Sequence, residues 1–160
     1  MAAKDAREDE TVNWNKDKSI LLTQVGTALF AVLLLALDLG CYWVTGWFVA
    51  NRLYNWQEGV LMMISICSGS VFGWLFLYRL WTLLKNIKRG EVFTEANVRQ
   101  MRGMSWCCAG AALICLASAL YYLPFLLVGL AAGFTGLVVR VVKNVFQQAI
   151  AMKSELDLTI

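Results

Sequence analysis

Four long apolar runs, separated by polar segments, set the pattern of this chain. Each approaches or exceeds the roughly 20 apolar residues that a helix needs to cross a lipid core. They predict helices over residues 20–44, 59–84, 104–123 and 124–142. The first has an unbroken centre at 29–37 and is then interrupted by Asp38. A linker at 45–58 carries Trp47, Tyr54 and Trp56, residue types that settle at headgroup depth, and its 47–53 part reads as an interfacial helix. The third and fourth runs meet in a tight turn, Tyr121-Tyr122-Leu123-Pro124. Pro124 suits the first position of a helix, where a missing N–H costs nothing. The expected fold is all-α, an integral membrane four-helix bundle over 19–142. A polar tail (1–18) precedes it, and a helical extension and tail (143–160) follow.

Composition supports one membrane domain. The 160 residues are 59% hydrophobic with mean hydropathy +0.60, more apolar surface than a soluble domain of this size can hide. The lipid bilayer is therefore the first expected partner. The opening 18 residues hold four basic and five acidic side chains and no secretory signal pattern, so a mobile polar tail is expected.

Charge placement predicts orientation. Of the 14 Lys and Arg, all but Arg52 fall in the N-terminal tail, the 85–103 segment or the C-terminal end, once Arg79 and Arg140 snorkel toward that side. Basic residues concentrate on the cytoplasmic side of spanning helices. Both termini and the middle loop are thus expected in the cytoplasm.

Small residues recur every four positions: Ser65, Gly69 and Gly73; Gly103, Cys107, Ala111, Cys115 and Ala119; Gly129 and Gly133, with Gly136 a turn on. Helices in lipid associate by close packing at such faces. These read as intramolecular packing, with a homodimer seam as the alternative.

Little chemistry is on offer. There is no histidine, and the five cysteines lie in apolar runs without CxxC spacing, so neither a metal nor a cofactor is expected. No paired intramembrane carboxylates, activated nucleophile or phosphate-cradling glycine loop is present, so an enzyme is not expected. The basic segment is short and lies beside the lipid, which argues against direct nucleic-acid binding. Asp38 is the one acid inside an apolar run. Such a residue reads either as a proton or cation site or as an outer-end carboxylate that reaches water, Arg52 or a backbone group.

Two segments have more order than linkers need. Phe93-Thr94-Glu95-Ala96-Asn97-Val98 reads as a helix start, with Thr94 as cap and Phe93 and Val98 at the positions of a hydrophobic staple. Asn97 stands where a capping box has Glu or Gln. This helix should run through Met101 and Met104 into the third span. Near the C-terminus, Val145, Phe146, Ala149, Ile150, Met152 and Leu156 form an apolar band that needs burial.

At these segments the chain resembles a bacterial family of four-helix membrane proteins of unknown function, the YoaS-like group. The matching residues are Ile87, Gly90, Val92-Phe93-Thr94, Asn97-Val98 and Arg102, then Val145-Phe146, Ala149, Lys153, Glu155 and Asp157-Leu158-Thr159-Ile160. Ala96 and Met101 depart from the pattern. The resemblance implies a bacterial cytoplasmic membrane and carries no activity. Its members are commonly encoded beside a small helix-turn-helix regulator, which implies that regulator as a cytoplasmic partner. The candidate docking residues are Phe93, Thr94, Asn97, Val98, Arg102, Phe146, Glu155, Asp157, Leu158 and Ile160. The expected function is a non-catalytic regulatory or sensor protein. A proton- or cation-coupled transporter using Asp38 and a structural subunit of a membrane assembly are the alternatives.

Overall fold

The structure, a computed structural model, describes the backbone over residues 2–52 and 56–157 and side chains over 18–47, 49–50 and 57–155. Four helices account for nearly all of it: α1 (Ala2–Arg52), α2 (Trp56–Lys88), α3 (Glu95–Ser118) and α4 (Pro124–Asp157). All four are long and apolar enough to cross a membrane.

The boundaries differ from expectation in informative places. Most of the 45–58 linker is helix, because α1 continues to Arg52 and α2 begins at Trp56. Nothing between 45 and 52 breaks the ladder: there is no proline, and Gly46 alone is tolerated. A separate interfacial helix at 47–53 is thus replaced by an extension of α1, with Leu53 outside the described residues. Much of the N-terminal tail is also part of α1. The predicted loop helix is the first turns of α3 itself, which ends at Ser118 rather than at Leu123. Residues 119–123 form the turn, held by Tyr122 N–H to Ser118 O (3.1 Å) and Phe125 N–H to Tyr122 O (3.0 Å). Pro124 opens α4 as expected.

The α2–α3 connection is short because α2 ends in a complete Schellman motif. Gly90 N–H reaches Ile87 O (3.0 Å) and Glu91 N–H reaches Asn86 O (3.1 Å), satisfying two terminal carbonyls. Gly90 sits at φ +83°, where a side chain would be strained. Lys85 and Lys88 in the last turn suit the negative end of the helix dipole.

The helices do not close into the expected bundle. Among the described residues α1 packs on α2, α2 on α1 and α3, and α3 on α2 and α4; α1 does not meet α4. Each helix runs antiparallel to the one before it, as the pairs Leu34–Gly73, Thr45–Gly59, Phe72–Gly110 and Ala112–Gly133 require. The result is an open row in chain order. One end carries the α2–α3 connection and the C-terminus of α4, and is basic. The other carries the 119–123 turn, the end of α1 and the start of α2.

Burial follows this order. A third of the apolar span of α3 is buried, against 6% for α1. α3 is the least apolar of the four and α1 the most apolar, the reverse of the soluble rule. The principal buried cluster joins Leu83 of α2 to Met101 and Met104 of α3, with Phe76, Leu80, Ile87, Val139 and Phe146 packed around it.

Close approach at glycine sets the α3–α4 spacing. A Cβ built on Gly136 lies 2.9 Å from Cys108 Cβ, and one on Gly129 lies 3.2 Å from Cys115 Cβ. Gly26 has nothing within 4 Å. Gly136→Val should therefore lower stability by about 1–3 kcal/mol, whereas Gly26→Val should stay within about 0.5 kcal/mol of the parent. Thermal unfolding of both variants in detergent checks this; equal transitions would contradict the packing.

Candidate functional site

The loop candidates converge on one junction at the basic end, centred on Asn97. Its side chain is fully buried at 0% exposure. Nδ2 donates to Glu91 O (2.6 Å) and Val92 O (2.8 Å), and Oδ1 accepts from Asn86 Nδ2 (2.9 Å). Both amide hydrogens and the carbonyl oxygen are used, so one side chain ties the connection to α2 and to the start of α3. Val98, at 2% exposure, is buried beside it. Asn97 and Val98 therefore do not offer side chains to a partner as expected. They are interior residues that build the junction.

Thr94 occupies the N-cap position with φ −127° and ψ 148°, but its side chain makes no capping hydrogen bond. Its buried hydroxyl has no partner among the described residues. Asn97 N–H instead reaches the Thr94 backbone carbonyl (3.1 Å). Phe93 is half exposed and stacks at a tilt on Phe146 of α4, with ring centroids 5.5 Å apart. This contact anchors the root of the C-terminal extension. Beside Phe146 and two turns on, Val145 and Met152 are exposed at 57% and 59%. Glu155 is exposed near the end of α4. The side chain of Asp157, and Leu158 and Ile160 entirely, lie outside the described residues. Arg102 is exposed on α3 and borders a cavity shared with Arg140 and Lys143 of α4.

Asp38 lies further from the end of its helix than the sequence suggests, because α1 continues to Arg52. The unbroken α1 places it 14 residues, about 21 Å along the axis, from Arg52, too far for that pairing. Its Oδ2 accepts a hydrogen bond from Trp74 Nε1 (2.9 Å), midway along α2. Oδ1 is buried without a partner among the described residues. On the same side of α1, Cys41 and Thr45 follow toward the turn end, with Cys41 beside Cys67 of α2. Thr45 is buried, its hydroxyl within hydrogen-bond reach of the Cys41 thiol. Thr45 lines a cavity of about 330 Å³ with Tyr42, Trp43, Trp47, Gly59 and Met63. Asp38, Cys41 and Thr45 thus form a ladder of polar side chains along one side of α1 that ends at that cavity.

The predicted packing residues divide between neighbours. Ser65 bonds to Ser118 and Tyr121 at the α3 end (Ser118 Oγ to Ser65 Oγ, 2.8 Å). A Cβ built on Gly73 would lie 3.1 Å from Leu34 of α1, and one on Gly69 would meet nothing within 4 Å. Gly129 and Gly133 meet Cys115 and Ala112. On α3 the single stripe is really two faces. Gly103 and Gly110 face Arg79 and Phe72 of α2, while Ser105, Cys108, Ala112 and Cys115 face α4. Arg79 lays its guanidinium over Gly103 and donates to Gln100 Oε1 (3.4 Å). Among the described residues no three His, Cys, Asp or Glu side chains come together to hold a metal.

Sequence reasoning missed the Asn86–Asn97 pair, the Trp74–Asp38 bond and the role of Gly110. A detectable signal existed for the first, since two asparagines flank a helix stop and a helix start. No periodicity marks the second.

Residues 44–160 match the family described as Protein of unknown function (DUF2975). No match is found among curated proteins or solved structures.

Truncating Asn97 would leave two carbonyls and the Asn86 amide short of partners. Asn97→Ala should cost about 3 kcal/mol. Asn97→Asp, nearly the same shape, should cost a similar amount at neutral pH, because it turns a carboxylate oxygen toward two carbonyls. Unfolding in detergent reads both; a neutral Asn97→Asp would contradict this role.

Proposed function

We propose, for a chain that belongs to this family of unknown function, a non-catalytic regulatory protein of the bacterial cytoplasmic membrane. It spans the bilayer four times with both termini inside and docks a cytoplasmic partner on the extension of α4. The observation that carries this reading is the length and surface of α4. Its apolar run ends at Val142, yet the helix continues to Asp157, about 22 Å further. That extension is anchored at its root by the Phe93–Phe146 stack, while Val145 and Met152 stay uncovered. A rigid apolar helix surface outside the membrane suits helix-in-groove recognition. The partner class, a small helix-turn-helix regulator, comes from the family resemblance. Holding such a regulator at the membrane would keep it from DNA until a signal releases it.

A second reading is favoured by one specific observation, the pairing of Asp38 with Trp74 midway along α2. A carboxylate within a spanning helix costs up to about 2.5–3.5 kcal/mol on insertion scales and often serves ion or proton movement. The half-satisfied carboxylate and the Cys41–Thr45 ladder fit a proton- or cation-coupled transporter. The open edges of the row, on α1 and α4, fit a second copy or a larger membrane assembly.

Two experiments separate these readings. Recovery of the neighbouring regulator with the detergent-solubilised protein should fall about tenfold in the double variant Val145→Glu, Met152→Glu. Both side chains are exposed, so the fold is retained. Undiminished recovery would remove the extension from docking, and none with the parent would end the partnership. For the second reading, Asp38→Asn should abolish pH-linked flux in vesicles at unchanged expression. Parent vesicles that show no such flux would exclude it.

A further inference from the structure

Three cationic side chains meet at the basic end of the α3–α4 seam, in a cavity of about 290 Å³. Arg102 comes from α3, and Arg140 and Lys143 come from α4 one turn apart. Ser105, Trp106 and Ala109 complete the described lining, which contains no carboxylate. The walls are built, not incidental. Ser105 Oγ donates to Gly136 O (3.0 Å), and a Cβ on Gly136 would lie 2.9 Å from Cys108 Cβ, so the two helices are held close at the floor.

Converging like charges without a counter-charge repel one another, and an anion at their centre relieves that. Two guanidinium groups and an ammonium suit a phosphate, which takes forked donors from arginine and a point charge from lysine. Arg79, the other arginine near this level, is committed to Gly103 and Gln100. Depth then selects the source. The apolar run of α3 begins at Met104 and that of α4 ends at Val142, so the three cations lie where both helices leave the apolar layer. Trp106 beside them is 71% exposed, an indole at the level where tryptophan anchors in headgroups. Ala109 lines the cavity on its inner side, and one turn on Leu113 is exposed, an apolar surface for an acyl chain.

We propose that Arg102, Arg140 and Lys143 form a site for a phosphate group, that of an anionic phospholipid headgroup. This depends on the membrane placement proposed above and not on the docking partner.

The test is native mass spectrometry of the full chain released from detergent, titrated with phosphatidylglycerol or phosphatidylcholine. The parent should prefer phosphatidylglycerol. Arg102→Gln with Arg140→Gln should weaken that lipid about thirtyfold, at about tenfold or less per charge, and leave phosphatidylcholine unchanged. Arg140→Lys should retain most of the binding. Arg89→Gln with Arg99→Gln, exposed cations outside the cavity, should change it by about twofold or less. An equal loss in that control pair would reduce the effect to diffuse surface charge and overturn the site. Inorganic phosphate binding without lipid, and lost with the same arginines, would overturn the lipid source. Resistance of every variant to carbonate extraction from membranes separates these outcomes from failure of membrane placement.

Discussion

Everything in this architecture depends on how closely α3 can approach its two neighbours. α3 has backbone exposed at Gly103 and Gly110 toward α2, and small side chains at Ser105, Cys108 and Ala112 toward α4. With Gly129, Gly133 and Gly136 opposite, the helices meet at nearly bare backbone. Where solvent is as apolar as leucine, shape and dispersion at such contacts replace the hydrophobic drive. That is why the least apolar helix is the most buried, and why the leucine-rich α1 can leave most of its surface uncovered.

Polar groups then act as pins at the levels where packing alone would allow sliding. At the turn end, Ser65, Ser118 and Tyr121 link α2 to α3. At the opposite end, Asn97 closes the α2–α3 connection around Gly90. Between α1 and α2 the corresponding pin is the Trp74–Asp38 bond. The first two are closed networks of neutral groups. The third involves a carboxylate with one oxygen unsatisfied, which is why it stands out as chemistry and not as fastening.

The number of helices, their order and the start of α4 at Pro124 were legible because run length and proline placement are local signals. So was the run of α3 back through Met101 into the loop, since Val98, Met101 and Met104 keep helical spacing. The end of α1 was not, because an apolar stretch with scattered aromatics looks alike as helix or linker. The closed bundle was an assumption about tertiary pairing that four-residue spacing cannot make. Gly103 and Cys115 share the four-residue spacing, yet Gly103 faces α2 and Cys115 faces α4. Asn97 and Val98, expected at a docking surface, are instead buried in the junction, because a helix start that reads as a cap in sequence folds back on the end of α2. Nothing in one dimension places Arg102 beside Arg140 and Lys143, because their meeting depends on the register of two helices.

The strictly sequential packing of the row has a consequence for biogenesis. Among the described residues each helix packs chiefly on the one made just before it and the one made just after. Contacts are therefore short in sequence separation, apart from the hairpin lengths themselves, and little loop-closure entropy stands in the way. During synthesis the nascent chain can add α2 to α1, then α3 to α2, then α4 to α3, completing each interface before the next begins. Among the described residues no contact of α1 has to wait for α4 to emerge from the ribosome.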